Sequence, residues 1–466
     1  MLTTRSLLAT AAVLALGATA ACSGTGTDSS KGGDAVTLKV WTADTLPDRV
    51  AATEKIFAGF TAKTGIKVKF TGVAGDQFNQ VLTSSAAAGT LPDVWGSLPL
   101  DQIRTLSGND LTDTAANAAV VESEGAGTFS ARALALTKDG DQQVGVPSDS
   151  WAQVLLYRKD LFDKAGLAAP KTLDDVMAAA KALNSPPTTV GFVGATKPGD
   201  LFTEQTFENI ALANGCQLVD KDATVHIDSP ECVNAFKFYG DLITNYSVAG
   251  NQDVDTTRAA YFAGKSAMLI WSTFILDEMA GLRKDAKPSC PQCLADPGYL
   301  AKNTGVVSSL QGPDGKEPAQ YGSINSWTIM KDAQTDAAKK FTDYMLNEGY
   351  ADWIAIAPEG KVPTRKGDKT DPTKFIDKWK TLPVGVDTKA PLSKFYSPDV
   401  LKIVGAGPDA FQVWGLEQGQ GKLMGALAGQ LPVAAAVGEV TNGKVAPDAA
   451  AKKAAGTIKT IQGTVK

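Results

Sequence analysis

Residues 145–167 have the sequence GVPSDSWAQVLLYRKDLFDKAGL, and this stretch decides the fold. The apolar run at 154–157 predicts a buried strand, and residues 158–165 follow at helical spacing up to Gly166. Ahead of the strand, the segment SDSW (148–151) combines three small polar residues with one indole. This composition suits a cleft wall at a domain crossover, where polar groups orient a ligand and the indole stacks on it. The alternative is a core tryptophan beside serines that cap a turn.

The composition is that of a globular protein with room for two domains. The chain has 466 residues, of which 44% are hydrophobic. A prior of roughly 100–200 residues per domain favours two domains for this length. The formal net charge is −5, so no basic excess indicates binding to nucleic acid. We therefore predict no nucleic-acid partner.

The first 22 residues are typical of a secretory signal. Arg5 is their only charged residue, residues 7–16 are mostly apolar, and Cys22 follows several small residues. The apolar segment is too short for a membrane-spanning helix. The cysteine resembles that of a bacterial lipobox, so residues 1–22 are interpreted as a signal peptide whose Cys22 is lipidated.

The next segment determines where the folded part works. Residues 23–35 are rich in Ser, Gly and Thr and predict a flexible tether. A tether behind a lipid anchor holds the folded part at the outer face of the cell membrane. Thr19 stands where a lipobox usually has a branched aliphatic residue, so cleavage without lipidation and free secretion remain an alternative.

The other four cysteines indicate an oxidising compartment. Cys216 and Cys232 lie 16 residues apart, and Cys290 and Cys293 flank a short Pro-Gln loop. Four cysteines allow three pairings, of which we favour Cys216–Cys232 and Cys290–Cys293. A redox motif or half a zinc site is the alternative for the second pair, but no second CxxC and no histidine pair accompany it.

Strands and helices are predicted to alternate along the first part of the chain. The predicted elements are strand 36–41, helix 48–63, strand 66–70, helix 78–88 and strand 92–95. Such alternation predicts parallel strands in a sheet covered by helices. Ligands of these sheets bind outside the carboxyl ends of the strands.

The rest of the chain continues the mixture of helices and strands. The predicted elements are helix 173–183 with Thr172 as its N-cap, strand 191–194, helix 231–245, a helix and buried strand within 259–270, loop 284–320, strand 321–330, helix 335–356 and an amphipathic helix at 447–461. The fold class predicted from this order is α/β.

Six pieces of the chain, in this order, resemble the bacterial extracellular solute-binding proteins of ABC importers, in family 1, which mostly binds sugars. The pieces are FAGFTAKTGIKVKF (57–70), GTLPDVW (89–95), residues 145–183, FAGKSAMLIW (262–271), residues 321–346 and PEGKVPTR (358–365). The resemblance implies a two-lobed periplasmic-binding-protein-like fold of type II, with crossing segments as the hinge and the ligand in the cleft between the lobes. Applied to this chain, it implies that residues 36–145 and 321–365 form lobe one and that residues 146–320 and 366–466 form lobe two.

The resemblance also implies the function. We expect a monomeric, lipid-anchored extracytoplasmic receptor that captures a neutral mono- or oligosaccharide and delivers it to an ABC permease. No catalysis, metal or cofactor is expected. Closure of the lobes around the sugar is expected to be a hinge motion that the ligand stabilises.

The residues expected to contact the sugar follow from position in the family's cleft. By that resemblance they are Asp44, Trp95, Ser97, Asp149, Trp151, Trp271, Phe274, Asn325 and Trp327, with Glu204 and Arg365 from a lobe-two loop and the turn after a long helix. Trp414 is added on composition alone, because aromatic rings pack on the apolar faces of sugars.

Two other functions remain open from the residues. A catalytic triad is barely available and a histidine-rich metal site is excluded, because His226 is the only histidine, but a glycosidase needs only two carboxylates. A binding protein for a polyamine would use Asp44, Asp149 and Glu204 beside indoles. A phosphate ester would require more basic groups than Arg365.

Overall fold

The computed structural model describes residues 36–465. The predicted signal peptide, Cys22 and the tether lie outside the described residues.

The strands are mostly short, with one exception of 13 residues. Their bounds are β1 Thr37–Thr42, β2 Lys67–Gly72, β3 Val94–Leu98, β4 Lys138–Asp139, β5 Gln142–Gln143, β6 Val146–Arg158, β7 Met268–Ser272, β8 Thr304–Val307, β9 Gly322–Ile329, β10 Val362–Pro363, β11 Pro383–Val384 and β12 Ala390–Pro391.

The helices cover both faces of the main sheet. Their bounds are α1 Pro47–Thr64, α2 Phe78–Ala88, α3 Leu100–Gly108, α4 Thr114–Glu124, α5 Ala131–Leu136, α6 Lys159–Ala165, α7 Leu173–Leu183, α8 Leu201–Ala213, α9 Pro230–Tyr246, α10 Val254–Phe262, α11 Ile275–Met279, α12 Tyr299–Asn303, α13 Thr335–Leu346, α14 Tyr350–Ile354, α15 Lys374–Lys380, α16 Pro398–Val404, α17 Gly421–Leu427, α18 Pro432–Thr441 and α19 Pro447–Gln462.

Strand β6 joins two groups of strands. Its first half pairs with β9 from Val146 to Ala152 and with β10, and its second half pairs with β7 and β8 from Gln153 to Arg158. The order on the first side is β10-β6-β9-β3-β1-β2. We call that side lobe one and the side that holds β7 and β8 lobe two. The stretch at 145–167 therefore carries a crossing strand, which is longer than the predicted run at 154–157.

The first three strands are parallel, as their alternation with helices predicts. Strand β1 pairs in parallel with β2 from Thr37 opposite Lys67, and with β3 from Val40 opposite Val94. Strand β9 returns antiparallel to β3 and to β6. The carboxyl ends of β1 and β3 consequently lie side by side at the same edge of the sheet.

Aromatic pairs pack in both lobes. In lobe one, Phe57 and Phe60 of α1 contact the ring of Phe341, with centroids 5.0 and 5.2 Å apart. In lobe two, Phe207 of α8 stacks on Phe236 of α9 at 4.3 Å. Such aromatic pairs contribute about 0.5–1.5 kcal/mol each beyond the burial of their area.

Helix α7 begins where the sequence predicts. The Thr172 hydroxyl accepts a hydrogen bond from the Asp175 backbone N–H at 3.1 Å, and the Asp175 carboxylate accepts one from the Thr172 N–H at 3.0 Å. This reciprocal capping box satisfies two backbone donors that the first turn leaves without partners. The prediction of Thr172 as N-cap is confirmed.

The prediction of one helix over 335–356 is wrong. Helix α13 ends at Leu346, and α14 begins at Tyr350. Asn347 leaves the helical region with a ψ of −94°. Gly349 then brings the backbone so close to Ile56 of α1 that an added Cβ would lie 3.1 Å from that side chain. Packing on α1 therefore breaks a periodicity that is continuous in the sequence.

The predicted strand at 191–194 is also absent. Only isolated bridges join Val190 to Ser266 and Val193 to Leu269. The N–H of Phe192, between them, donates instead to the Tyr246 carbonyl at the end of α9, at 2.9 Å. Because the backbone hydrogen bonds of this segment are divided between residues 266–269 and the end of α9, the segment does not form a continuous strand pairing.

The predicted loop at 284–320 contains regular structure. Helix α12 and strand β8 lie within it, and β8 pairs with the second half of β6. The four residues of β8 lie among Pro and Gly residues, so the sequence gives no periodicity long enough to indicate a strand.

Both predicted disulfide bonds are present. Cys216 is bonded to Cys232 and Cys290 to Cys293.

Among residues 36–465, no single helix has the length and apolar character to cross a membrane. One pair of helices bent by 53°, Gly421–Leu427 with Pro432–Thr441, would be long and apolar enough together, by length and composition only.

Candidate functional site

Two groups of polar side chains are candidates for a site, one between the lobes and one at the strand ends of lobe one. We call the first the acidic cavity; it is lined by Asp101, Glu204, Gln205, Glu208, Tyr321 and Trp414 together with apolar neighbours. We call the second the lysine cluster; it contains Asp44, Ser97, Asp149, Asn325, Trp353 and Lys361.

The acidic cavity takes side chains from both lobes. Asp101 lies in the first turn of α3 in lobe one, and Glu204 and Glu208 lie one turn apart on α8, which packs in lobe two. Tyr321 directly precedes β9 of lobe one. The cavity has a volume of about 50 Å³, room for only a few water molecules. A larger ligand therefore requires the lobes to separate.

Helix α17 closes one side of this cavity. It packs on α3 of lobe one so closely that a Cβ at Gly425 would lie 2.6 Å from the backbone of Arg104. The Thr105 hydroxyl also donates to the Gly425 carbonyl at 3.0 Å. Met424 of the same helix lines the cavity. This contact between α3 and α17 forms part of the interface between the lobes.

The carboxyl groups of the cavity share a raised affinity for protons. Burial raises the pKa of the Asp101 carboxyl to about 6. Burial, with the Asp101 charge as a smaller cause, raises the pKa of Glu204 to about 7. Burial followed by the charges of Glu204 and Asp101 raises the pKa of Glu208 well above its ordinary value. No lysine, arginine or histidine is among the described residues that line the cavity.

Hydrogen bonds hold two of these carboxyls in place. The Glu204 carboxylate accepts from the Ala434 N–H at 3.3 Å, and Glu208 accepts from the Trp414 N–H at 2.7 Å. Trp414 is fully buried, and its indole N–H donates to the Cys216 carbonyl at 2.9 Å. The aromatic wall of the cavity is thereby fixed by bonds that do not use its ligand-facing groups.

Lys361 is the centre of the lysine cluster. It is 1% exposed, and its Nζ lies 3.3 Å from an Asp44 carboxylate oxygen, 3.9 Å from an Asp149 oxygen and 4.2 Å from the centre of the Trp353 ring. Asp149 also accepts from the Asn325 amide at 2.8 Å and from the Trp353 indole at 3.1 Å. Charges and hydrogen bonds are therefore balanced in this cluster.

The end of β1 is joined to the end of β3 within the same cluster. The Ser97 hydroxyl donates to Asp44 at 2.8 Å, and Arg49 lies 3.3 Å from the other Asp44 oxygen. Although burial acts to raise it, the pKa of Asp44 is lowered by Lys361 and Arg49. Ser97 has a φ of 59°, a left-handed conformation that costs a non-glycine residue about 1–3 kcal/mol.

A second contact joins the lobes beside the lysine cluster. The ring of Phe274, after β7, lies against Gly360, where an added Cβ would be 2.1 Å from the ring. The guanidinium of Arg49 in α1 lies 5.3 Å from the centre of the same ring. Glu359 is 1% exposed, and burial, followed by the charge of Asp277 in α11, raises its pKa well above the ordinary value.

The structure brings together part of the set of residues predicted to bind ligand. Asp44, Ser97, Asp149 and Asn325 meet in the lysine cluster, and Glu204 and Trp414 line the acidic cavity. Trp151 is partly exposed, and its ring lies 5.9 Å from that of Tyr321, at the side of the cavity. Phe274 lies in the contact between the lobes.

Four other predicted residues pack away from the cavity. Trp95 and Trp327 are fully buried in lobe one against aromatic neighbours, with Trp95 5.0 Å from Trp41 and Trp327 4.9 Å from Trp353. As ligand contacts they remain predictions that this packing does not favour.

Trp271 and Arg365 also make contacts within the protein. The Trp271 indole donates to the Val254 carbonyl at 3.2 Å. Arg365 is 1% exposed and pairs with Glu124 at 2.7 Å. Both groups have their hydrogen-bonding capacity used, so the packing does not favour them as ligand contacts either.

Sequence reasoning missed Asp101, Glu208, Tyr321 and Lys361. Glu208 could have been found, because it lies four residues after Glu204 and such residues share a helix face. Lys361 lies in PEGKVPTR (358–365), one of the six pieces by which the chain resembles the family, but no ligand-binding role was predicted for it. Asp101 carried no local signal. Within residues 36–465, no group of three or more His, Cys, Asp and Glu side chains is arranged to hold a metal ion.

Comparison with protein families gives one match over most of the chain. Residues 43–352 match the family described as bacterial extracellular solute-binding protein. The protein YcjN of Escherichia coli K12, named for the periplasmic-binding proteins of ABC transporters, is 30% identical over 333 residues, which cover 70% of this chain and 72% of YcjN. The binding protein BAB2_0491 of Brucella abortus is 26% identical over 328 residues, covering 67% and 72% of the two chains.

Solved structures of similar fold are two-lobed solute-binding proteins. The GacH receptor of Streptomyces glaucescens, solved unliganded and with acarbose, has a TM-score of 0.71 at 17% identity and covers 93% of this chain and 100% of its own. A solute-binding protein of Thermotoga lettingae with bound α-D-tagatose has a TM-score of 0.70 at 20% identity, covering 92% and 100%. A sugar transporter protein of Arthrobacter chlorophenolicus with laminaribiose has 0.69 at 19%, covering 91% and 99%. At these identities the likeness establishes the two-lobed α/β fold.

Proposed function

This chain belongs to the bacterial extracellular solute-binding protein family, and from that premise we propose that it captures a mono- or oligosaccharide outside the cytoplasm and delivers it to the permease of an ABC importer. It acts as a binding protein and not as an enzyme, and it works as a monomer.

The acidic cavity is the observation that carries this proposal. It lies between the lobes and combines buried aromatic groups, Trp414 and Tyr321, with carboxyl and amide groups, Glu204 and Gln205. Sugar rings offer apolar faces to aromatic groups and hydroxyls to such acceptors and donors. A ligand without these hydroxyls leaves buried polar groups unpaired, which gives a site of this kind its selectivity.

The placement of the cavity also couples binding to closure. Asp101 belongs to lobe one and Glu204 to lobe two, so only a ligand between closed lobes contacts both. Such a ligand stabilises the closed form by the difference in its affinity for the two forms. The contacts of α3 with α17 and of Phe274 with Gly360 are the surfaces that meet on closure.

The ligands of the structural relatives support a saccharide. The proteins of similar fold were solved with acarbose, α-D-tagatose and laminaribiose. A polyamine is the second candidate, because three carboxyls line the cavity.

The proposal includes lipid anchoring at Cys22, which keeps the receptor beside its permease. In a Cys22→Ala variant the protein should move from the membrane fraction to the soluble fraction. Equal membrane association of variant and wild type would contradict the anchor and leave the binding function untouched.

A fluorescence titration tests the binding function. The full-length protein in detergent is titrated with saccharides, polyamines and phosphate esters while tryptophan emission is recorded. We expect a saturable change with a saccharide, no hydrolysis product, and loss of the response in Glu204→Ala. The matched control is Glu122→Ala, which removes an exposed acid of α4 and should respond as wild type. A response to a polyamine alone, or the appearance of a hydrolysis product, would contradict the proposal.

A further inference from the structure

A groove between two short helices is separate from the acidic cavity. It lies between α15 and α16 and has a volume of about 530 Å³, and no residue of its wall also lines the acidic cavity. Pockets that hold a small molecule typically measure about 300–1,000 Å³. The groove is therefore large enough for a ligand. Its apolar wall consists of Ile376, Trp379, Leu382, Leu392, Pro398 and Leu401.

The Trp379 ring is a fixed part of this wall. Its indole N–H donates to the Pro358 carbonyl at 2.8 Å, and the side chain is buried. Gly405 leaves room for the ring, because an added Cβ at this glycine would lie 3.0 Å from it. Since the polar group of the indole is satisfied within the protein, the ring offers apolar surface to the groove.

Lysines surround the apolar wall, and no acidic side chain is among the described residues that line it. Lys380 and Lys402 line the groove and are exposed; Lys380 pairs with the exposed Asp377 at 2.8 Å. Residues 374–402 contain six lysines, all exposed, and three aspartates, in a chain whose formal net charge is −5. The surface around the groove is therefore positively charged, although the whole chain is negative.

The occupant that fits must combine a narrow apolar part with a negative charge. A helix is about 10–12 Å wide and rises 5.4 Å per turn, so the groove would hold roughly one turn, whereas recognition of a helix uses anchors over two turns or more. An extended peptide brings backbone N–H and C=O groups that need partners. Ser393 is the one neutral hydrogen-bonding side chain that the described wall offers besides the satisfied indole. An acyl chain has no polar group to satisfy.

We propose that the groove binds an anionic phospholipid of the membrane beside which the receptor works, with one acyl chain against Trp379 and Leu401 and the phosphate beside Lys380 and Lys402. The inference takes from the proposed function only the location at the outer face of the cell membrane. A single acyl chain gives weak and reversible membrane binding, so the groove orients the folded part on the bilayer and does not replace the anchor at Cys22.

Quenching of tryptophan emission by brominated lipids tests the inference. The full-length protein is incorporated into phosphatidylcholine vesicles of increasing phosphatidylglycerol content, with bromine on the acyl chains of the phosphatidylglycerol. We expect quenching that rises with the phosphatidylglycerol content and is largely absent in Trp379→Phe. With the bromine on the phosphatidylcholine chains instead, quenching of Trp379 should be at least fivefold weaker.

Variants of the lysines test the recognition of the phosphate. Lys380→Gln and Lys402→Gln should each raise the phosphatidylglycerol content needed for half of the quenching about fivefold, the factor that one lysine contributes beside an anionic membrane. Added salt should weaken the same binding, because it screens the charges. Lys459→Gln, which removes an exposed lysine of α19, is the matched control and should leave the quenching unchanged. Circular dichroism identifies any variant that fails to fold.

Three results would overturn the inference. The first is equal quenching in wild type and Trp379→Phe, and the second is equal quenching by the two brominated lipids. The third is a dimer in sedimentation that Leu401→Asp dissociates, which would assign the groove to a second copy of the chain. Saccharide binding is measured separately, so a wild type that binds no saccharide would contradict the proposed function and leave this inference standing.

Discussion

The lysine cluster lies within lobe one and the acidic cavity lies between the two lobes, and the two regions differ in how their carboxyl groups are paired. In the lysine cluster, Asp44 and Asp149 are matched by Lys361, with Arg49 at the edge. In the acidic cavity, Glu204 and its neighbours have no basic partner in the wall. The lysine cluster, in which the carboxylates are paired with a lysine, stabilises the strand ends of lobe one. The acidic cavity, which has no basic side chain in its wall, remains available to a ligand.

The largest effect is expected from Lys361→Met. Removal of the ammonium leaves two buried carboxylates without their shared partner, which costs about 3–5 kcal/mol of unfolding free energy. Urea unfolding measures it. Lys237→Met removes a lysine whose ion pair with Asp241 is exposed, and this control should lose less than about 1 kcal/mol. Equal losses of unfolding free energy in the two variants would show that Lys361 does not stabilise the strand ends of lobe one.

A smaller effect is expected from pH on the unliganded protein. The pKa of Glu204 is about 7 in the folded state, above its unfolded value of about 4.5, so the folded state binds more protons. Stability from this group is complete below pH 4.5 and is lost as pH rises through 7. Glu204→Gln should therefore remove about 1–3 kcal/mol of the difference in unfolding free energy between pH 5 and pH 8.

The control for this dependence is Glu122→Gln, which should retain the pH slope of the wild type. An unchanged slope in Glu204→Gln would mean that this carboxyl does not titrate as a buried group, and the contrast between the two regions would fail.

Closure of the lobes should be sensitive to Gly360. In Gly360→Ala the new Cβ would lie 2.1 Å from the Phe274 ring, so the lobes cannot meet as they do here. Because the binding-competent form becomes rarer, saccharide affinity should fall about tenfold in calorimetric titration. Gly456→Ala, where nothing lies within 4 Å of the added Cβ, should bind as wild type. An unchanged affinity in Gly360→Ala would show that binding does not depend on the contact between Phe274 and Gly360.

The smallest effect is expected from Arg49→Gln. Arg49 is 17% exposed and contacts only one of the two carboxylates, so its loss should cost about 1 kcal/mol in urea unfolding. A cost equal to that of Lys361→Met would indicate that charge balance in the cluster depends on both cations equally.

The α/β class, the second half of the crossing strand and the pairing of the cysteines could be predicted from the sequence because each has a local signal. Alternation of apolar runs with helical periodicity indicated β1, β2 and β3, and Gly166 ended α6 as expected. Strand β8 and the break at Asn347 could not be predicted, since both depend on packing against distant elements.

The candidate site was predictable only in part for the same reason. Trp95 and Trp327 have the composition of ligand plates, but their environment is decided by Trp41, Phe78 and Trp353, which are far apart in sequence. The charge balance of Asp44 likewise depends on a lysine 317 residues away. Residue type alone therefore did not distinguish a charged cluster that stabilises the fold from a binding site.

Hydrogen–deuterium exchange of the full-length protein, with and without a saturating saccharide, tests whether the ligand binds between the lobes. We expect slower exchange in both α3 of lobe one and α8 of lobe two when the ligand is bound, with little change in the surface hairpin of β4 and β5. Protection confined to one lobe, or none in either helix at saturation, would contradict a site between the lobes.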